Sequence, residues 1–484
     1  MNYLTRKILT EYPDTHQVIG VYNEIRKKEP DVDETDDDDF VVVEDNKWRP
    51  GPLIVAVLYK IQDRNEDFFR SGRDIDFEAN RDCFELLGYF WHQQHHMGKI
   101  LREGISNVSS KDLCNHVERN KNNMIQHLNL DIVHVSLSEL CVEDASTAVA
   151  ENSKSLLSHT PDFVIHVDHD HTCVVLTVLG TRIFPRPNPH DIIMDMAARC
   201  QPFLDGQAHG GMVVGHTNLV KFAMPRVQEL MEKYPHYTFL VIGYSLGMCV
   251  EIFIGDSYYI IVIFAGAALA QLFLLDLKHG NLKTSLPDSV KVRGILYGVP
   301  PVYQGDLDTV EDIVMVSNHN DGITGASLHN LQEVVSKIRA IKNLGLRRRT
   351  LMKMALNINS DEVNDDGVKD ILNDSPEDEK KSSLSGTLKK YVSGATKDNW
   401  NQVQSTVDKI HKSRHPNLTF VGDSLIVLKK SKTKDGPPRV AQFSGRDDLK
   451  NFTRGLRLKY GMFDHHMPWS YNPLFAGAEN KLSS

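Results

Sequence analysis

The chain has 484 residues, 41% of them hydrophobic and 25% charged, which is ordinary for a globular protein long enough to bury a large core. Its 55 Lys and Arg against 64 Asp and Glu give a net charge of −9. That balance argues against nucleic acid as a partner, because phosphate binding needs clustered cations.

Six cysteines (Cys83, Cys114, Cys141, Cys173, Cys200 and Cys249) occur without a CxxC pair. A thiolate zinc site and a disulfide framework are not expected, and a reducing, cytoplasmic setting is. The opening MNYLTRKILTEYP has no apolar h-region, so no signal peptide is expected. The sequons at Asn107, Asn417 and Asn451 are then chance matches.

Residues 1–50 carry the acidic run Asp31–Asp38 and read as a partly disordered N-terminus. Residues 51–150 read as a mainly helical region, with Leu53, Val57 and Ile61, then Phe84, Leu87 and Phe90, at helical spacing. From 151 to 475 the texture is strand–helix alternation. Phe163–Val167 and Cys173–Val178 read as strands around the turn Asp168–His171. Leu219, Phe222, Val227, Leu230 and Tyr234 suit one helix face, interrupted by Pro225 and closed by Pro235. Thr238–Ile242, Val290–Tyr297 and Asp312–Val316 read as buried strands. Residues 358–400, rich in Asp, Ser, Lys and Asn, read as a mobile insertion. Strands return at Leu418–Val421, Ser424–Leu428 and Val440–Phe443. The rhythm predicts an α/β fold, a mostly parallel sheet with helices on both faces.

The sharpest motif is Gly243-Tyr244-Ser245-Leu246-Gly247, directly after the strand Thr238–Ile242. A serine on a tight turn between a buried strand and a helix is held exposed, and glycines leave room on either side of it. Its hydroxyl needs a base, and the base needs an acid to orient it. Asp321 follows the strand Asp312–Val316, and Asp464-His465-His466-Met467-Pro468 supplies two candidate bases near the C-terminus. An oxyanion needs backbone donors. The Leu246 N–H comes with the turn, and the Thr181 N–H follows the strand Cys173–Val178.

These residues resemble the class 3 (fungal-type) lipases and, within them, diacylglycerol lipase-like members of the α/β-hydrolase fold. The resemblance runs from about Pro161 to Tyr471. VVLTVLGT stands where the family carries Arg-Gly-Thr or a similar triplet. Asp191 and Asp195 match a D-x-x-x-D pattern, and Ala208–Met212 a His-x-Gly-Met segment. VIGYSLG matches the GHSLG elbow with Tyr244 in place of His. Asn318–Asp321 matches the segment ending in the catalytic Asp, and HMPWSY from His466 the segment carrying the catalytic His.

The resemblance implies Ser245, Asp321 and His466 as a triad, Thr181 and Leu246 as the oxyanion hole, and no cofactor or metal. It also implies an acylglycerol substrate met at a peripheral membrane or lipid-droplet surface. His465 remains the alternative base, and a non-catalytic or impaired scaffold the alternative function.

Two departures stand out. Leu179 replaces the family's common Arg, removing a charge that braces the oxyanion loop. The apolar segment Met248–Phe264 separates the elbow from Ala265-Gly266-Ala267-Ala268-Leu269-Ala270, which has the character of the helix that should follow at once. It reads as retained intron sequence or a lineage-specific insertion. It should displace the helix dipole from the nucleophile and impair the chain as written. Tyr258–Leu275 also forms an apolar stretch of membrane-span length, broken by Gln271, for which the buried post-elbow helix is the preferred reading. His166-Val167-Asp168-His169-Asp170-His171 has metal-ligand types but the position of a hairpin turn, and His92, His95 and His96 read as a polar helix face.

Overall fold

A computed structural model describes residues 57–58, 72–103, 108, 112–137, 161–180, 200–244, 250–254, 257–261, 266–306, 310–346, 350–351, 354, 396–409, 416–429, 438–455 and 464–475. In chain order the strands are β1 (Arg73–Ile75), β2 (Asp131–Ser136), β3 (Phe163–Asp168), β4 (Cys173–Val178), β5 (Cys200–Phe203), β6 (Gly206–His209), β7 (Thr238–Tyr244), β8 (Val250–Ile254), β9 (Ser257–Ile261), β10 (Val292–Tyr297), β11 (Tyr303–Gln304), β12 (Val310–Asn318), β13 (Gly422–Lys429) and β14 (Arg439–Ser444). The helices are α1 (Arg81–Arg102), α2 (Leu113–Leu128), α3 (Gly210–Lys233), α4 (Gly266–His279), α5 (Leu328–Asn343), α6 (Thr396–Asp408), α7 (Arg446–Thr453) and α8 (Pro468–Tyr471).

A nine-stranded sheet runs β1-β14-β13-β12-β10-β7-β4-β3-β2. Its inner strands β13, β12, β10, β7 and β4 are mutually parallel, and β14, β1, β3 and β2 close the margins antiparallel. The inner strands are buried on both faces, which is why they read as unbroken apolar runs. The two-residue side-chain period sorts each strand between two cores. Phe239 and Val241 of β7 face α3 and α4, whereas Leu240, Ile242 and Tyr244 face Phe90 and Trp91 of α1. This is an α/β-hydrolase fold, with β1, β2, α1 and α2 adding sheet margins and cover from the region before residue 151.

Several expectations change. Helix α3 runs unbroken through Pro225. Leu219, Ala223, Met224, Val227 and Leu230 are all buried along it, and that packing outweighs the roughly 3 kcal/mol a mid-helix proline costs. Leu418–Val421 is not a strand, and only Thr419 bridges, to Tyr303. Residues 131–136, inside the stretch read as helical, are strand β2. The stretch 358–400 lies outside the described residues as far as 395, and its last residues begin α6. The acidic segment 1–50 also lies outside them.

The apolar stretch Tyr258–Leu275 divides between β9 and α4. Every residue of α4 from Gly266 to Leu277 is buried. Gln271 is satisfied there, donating to the Pro300 carbonyl at 2.9 Å and accepting from the Val421 N–H at 3.1 Å. Among the described residues no helix is long and apolar enough to cross a membrane.

Candidate functional site

Strand β12 delivers Asp321 to the C-terminal end of the parallel strands. The chain turns there, with Asp321 N–H bonded to the Asn318 carbonyl at 2.9 Å. One carboxylate oxygen caps the short 3-10 turn Gly322–Gly325 by accepting from the Ile323 N–H at 2.9 Å. The His466 Nδ1 lies 3.0 and 2.9 Å from the two oxygens of the same carboxylate. Both side chains are buried. An ionised carboxylate only accepts, so Nδ1 carries the proton and Nε2 is left as the basic nitrogen. Of the two adjacent histidines it is His466 whose ring meets Asp321; the His465 ring packs edge-on against His319.

A second set of contacts holds this pair. The Tyr471 hydroxyl donates to Asp321 Oδ2 at 3.0 Å and accepts from the Asn318 N–H at 3.1 Å. The Asn318 amide reaches the His465 carbonyl at 3.0 Å and Ser470 Oγ at 2.9 Å, tying the end of β12 to the loop that carries His466. The Tyr244 hydroxyl donates to the His466 carbonyl at 2.6 Å. Burial, then the Asp321 charge, pushes the Tyr244 and Tyr471 phenols well above their ordinary range, so both remain donors. Trp91 of α1, almost fully buried, contacts the rings of Tyr244, Tyr297 and Tyr471 at 4.8–5.1 Å, and its indole N–H donates to Asn472 at 2.9 Å. Gly298, at φ +58°, leaves room for the imidazole: a Cβ there would lie 2.6 Å from His466 Cε1.

Ser245, Leu246 and Thr181 lie outside the described residues, as do Asp191 and Asp195, but the residues flanking the elbow are described. Gly243 approaches α4 so closely that a Cβ would come within 2.7 Å of the Ala270 methyl. At the first residue of α4, Gly266, a side chain would collide with the Tyr244 and Val178 carbonyl oxygens. The helix therefore starts against the ends of β7 and β4. Its apolar face is fixed in the core between α3 and the sheet; the expected displacement from Ser245 concerns a residue outside the described ones. Strands β8 and β9, which fall within Met248–Phe264, pair among the described residues with each other alone.

The described residues of the histidine clusters make other contacts. Asp168 is buried and accepts from Tyr89, Gln93 and the backbone and ring of His171, which closes a hairpin turn. His92, placed by sequence on a polar face, is buried and donates to the Phe475 carbonyl at 3.0 Å, because α1 packs against the C-terminal segment. No group of three possible metal ligands occurs among the described residues. Trp91 and Arg102 of α1 were not signalled by any motif. Their contacts are with residues far away in sequence.

No family model and no curated protein matches this chain. Solved structures similar to it include Rhizomucor miehei triacylglyceride lipase, at 12% identity over 52% of this chain and 75% of that one, TM-score 0.31. Nonglycosylated Yarrowia lipolytica LIP2 lipase is similar at 17% identity over 52% and 75%, TM-score 0.31. A lipase from Rhizopus microsporus var. chinensis is similar at 16% identity over 49% and 69%, TM-score 0.29.

Proposed function

We propose that this chain is a serine ester hydrolase of the lipase type acting on acylglycerols, with diacylglycerol-like esters as the preferred class. The observation that carries the reading is the position of Tyr244. It immediately precedes Ser245, and its ring lies 5.8 Å from the ring of His466, which is itself bonded to Asp321. The strand end that carries Gly243 and Tyr244 thus stands beside a buried His–carboxylate pair, and the sequence supplies the chain order nucleophile, acid, base.

In this reading Ser245 Oγ attacks the ester carbonyl while His466 Nε2 takes its proton. Asp321 keeps the imidazole in the Nδ1–H tautomer and stabilises the cation that forms. The Thr181 and Leu246 N–H groups receive the developing oxyanion. His466 passes its proton to the departing alcohol, leaving an acyl-enzyme on Ser245. Water then repeats the sequence, with His466 again as base, and releases the fatty acid. The steps require no cofactor or metal.

A lipase must reach its substrate at an interface. Trp469, 63% exposed on α8 three residues after His466, is suited to a peripheral contact with a membrane or lipid-droplet surface, since indole partitions to such boundaries. Cytoplasmic residence belongs to the same proposal, and rests on the cysteine pattern.

The test is labelling by a fluorescent fluorophosphonate, which reacts with activated serines, followed by turnover of di- and triacylglycerol emulsions. Labelling that Ser245→Ala abolishes, with faster release from diacylglycerol, is the expected result. A folded protein that never labels moves the scaffold reading forward, and that reading is favoured by one feature, the Met248–Phe264 interruption.

A further inference from the structure

We infer that Arg102, the last residue of α1, is a positioning residue for the oxyanion-binding peptide. This rests on the hydrolase reading above. One terminal nitrogen of Arg102 donates to the Gly180 carbonyl at 2.5 Å and to Asp162 Oδ2 at 3.1 Å. The guanidinium is 11% exposed and the Asp162 side chain 1%, so the pair is shielded from the solvent that weakens surface ion pairs. The Asp162 main chain holds the same segment from the other side, its carbonyl accepting the Leu179 N–H at 2.9 Å.

Gly180 is the residue whose carbonyl matters. A trans peptide is planar, with its C=O and the following N–H on opposite edges. The peptide that carries the Gly180 oxygen also carries the N–H of Thr181, so fixing the oxygen fixes the donor. A glycine at this point has the freest backbone of any residue, and the arginine restricts it. An oxyanion hole works because its donors are oriented before charge develops.

The charge comes from an unexpected direction. The residue next to Gly180, Leu179, is buried against Met97 and Leu101 of α1 and supplies no charge. Arg102 follows Leu101 on that helix and reaches the loop instead. It lies eleven positions after Trp91, about three turns, so both project from one face of α1. That single face thus supplies Trp91 to the tyrosines around Asp321 and His466, and Arg102 to the loop at the end of β4.

The experiment uses the full chain and a form lacking Met248–Phe264, each with Arg102→Lys, Asp162→Asn and the double change Arg102→Met/Asp162→Asn. The double change avoids leaving a buried carboxylate unpaired. Fluorophosphonate labelling rates, kcat and KM on p-nitrophenyl butyrate, affinity for a phenylboronic acid and thermal midpoints are measured. The boronate binds serine as a tetrahedral oxyanion adduct.

The double variant is expected to lose about 10- to 100-fold in labelling rate, kcat and boronate affinity together, less than the 10²–10³ for removing a donor outright. KM should stay within about twofold, and Arg102→Lys should recover part of the loss. Parent-like kcat and boronate affinity in the double variant would overturn the inference, even with a lowered thermal midpoint, because Arg102 would then serve packing alone. Absence of Ser245 labelling in both parent forms would instead remove the hydrolase reading, and this inference with it.

Discussion

Tyr244 holds His466 at two points. The two rings lie 19° from parallel with centroids 5.8 Å apart, and the Tyr244 hydroxyl donates to the His466 carbonyl at 2.6 Å. Tyr244 is the last residue of β7, so the rigid end of a central parallel strand registers a histidine that arrives on a loop near the C-terminus. The residue immediately before Ser245 thus has a buried partner of its own.

Replacing Tyr244 by Phe keeps the ring and removes the bond. A buried carbonyl left without its donor costs about 1–3 kcal/mol. Part of that loss should appear as looser placement of His466, lowering kcat by about 10-fold, which corresponds to about 1.4 kcal/mol in the barrier. KM should change little, because the bond does not touch substrate. An unaltered kcat on a short-chain ester, with only a lower thermal midpoint, would show that the hydroxyl stabilises the fold without placing the base.

Gly298 offers a sharper probe of the same imidazole. Its φ of +58° is costly for other residues, and an added Cβ would stand 2.6 Å from His466 Cε1 and 3.0 Å from Nδ1. Gly298→Ala is expected to push the ring off Asp321 and to reduce labelling at Ser245 by about 10²-fold or more, the scale on which general acid–base catalysis contributes. Gly345→Ala is the control. Gly345 also has a positive φ, +62°, but nothing lies within 4 Å of the new methyl. It should lose comparable stability while labelling at the parent rate. Equal labelling losses in both would assign the effect to backbone strain.

His166 gives the fold a dependence on pH. Its ring is fully buried on β3, and neither nitrogen has a partner among the described residues. Burial lowers its pKa from 6.5 to about 4, opposed weakly by Asp168. The unfolded chain therefore binds a proton between about pH 6.5 and 4 that the folded chain refuses. Stability from this residue is intact above pH 6.5, falls as pH drops through that window, and falls no further below about 4. The full effect is on the order of 3 kcal/mol. His166→Leu should flatten the change in urea midpoint between pH 7 and 4.5. An unchanged pH slope in that variant would locate the titration elsewhere.

What the sequence made legible was local. The inner strands are short apolar runs bounded by turns, and the order of Gly243–Gly247, Asp321 and His466 suggested which side chains meet. Asp321 and His466 do meet. What it hid was long-range. Tyr471 bonds to a residue 150 positions earlier, and Trp91 to one 381 positions later. Neither contact leaves a pattern in a neighbouring window. Strand β2 was hidden because Asp131–Ser136 is only half buried at a sheet margin. The loss of a bracing charge at Leu179 was inferred from that position alone, whereas Arg102 reaches Gly180 from a helix 78 residues upstream.

The segment Met248–Phe264 sets the last prediction. The strand before the elbow and the helix after it are already in contact, since a side chain on Gly266 would strike the Tyr244 carbonyl oxygen. Residues 245–265 therefore leave and return to nearly the same point. Removing Met248–Phe264 leaves Ser245, Leu246, Gly247 and Ala265 to connect Tyr244 with Gly266, a tight strand-to-helix turn that requires no movement of β7 or α4. Both elements are buried among many partners, so the deletion should fold with the core unchanged. Its elbow would be short enough to hold the serine and the following N–H against the helix N-terminus. The longer excursion is expected to give that N–H less support than the short turn would. Loss of one oxyanion donor costs about 10²–10³ in rate, so the deletion form should label with fluorophosphonate faster by about that factor. A matched thermal midpoint with equal labelling rates would show that the excursion orders the elbow as well as a short turn does. In that case Met248–Phe264 belongs to the working enzyme.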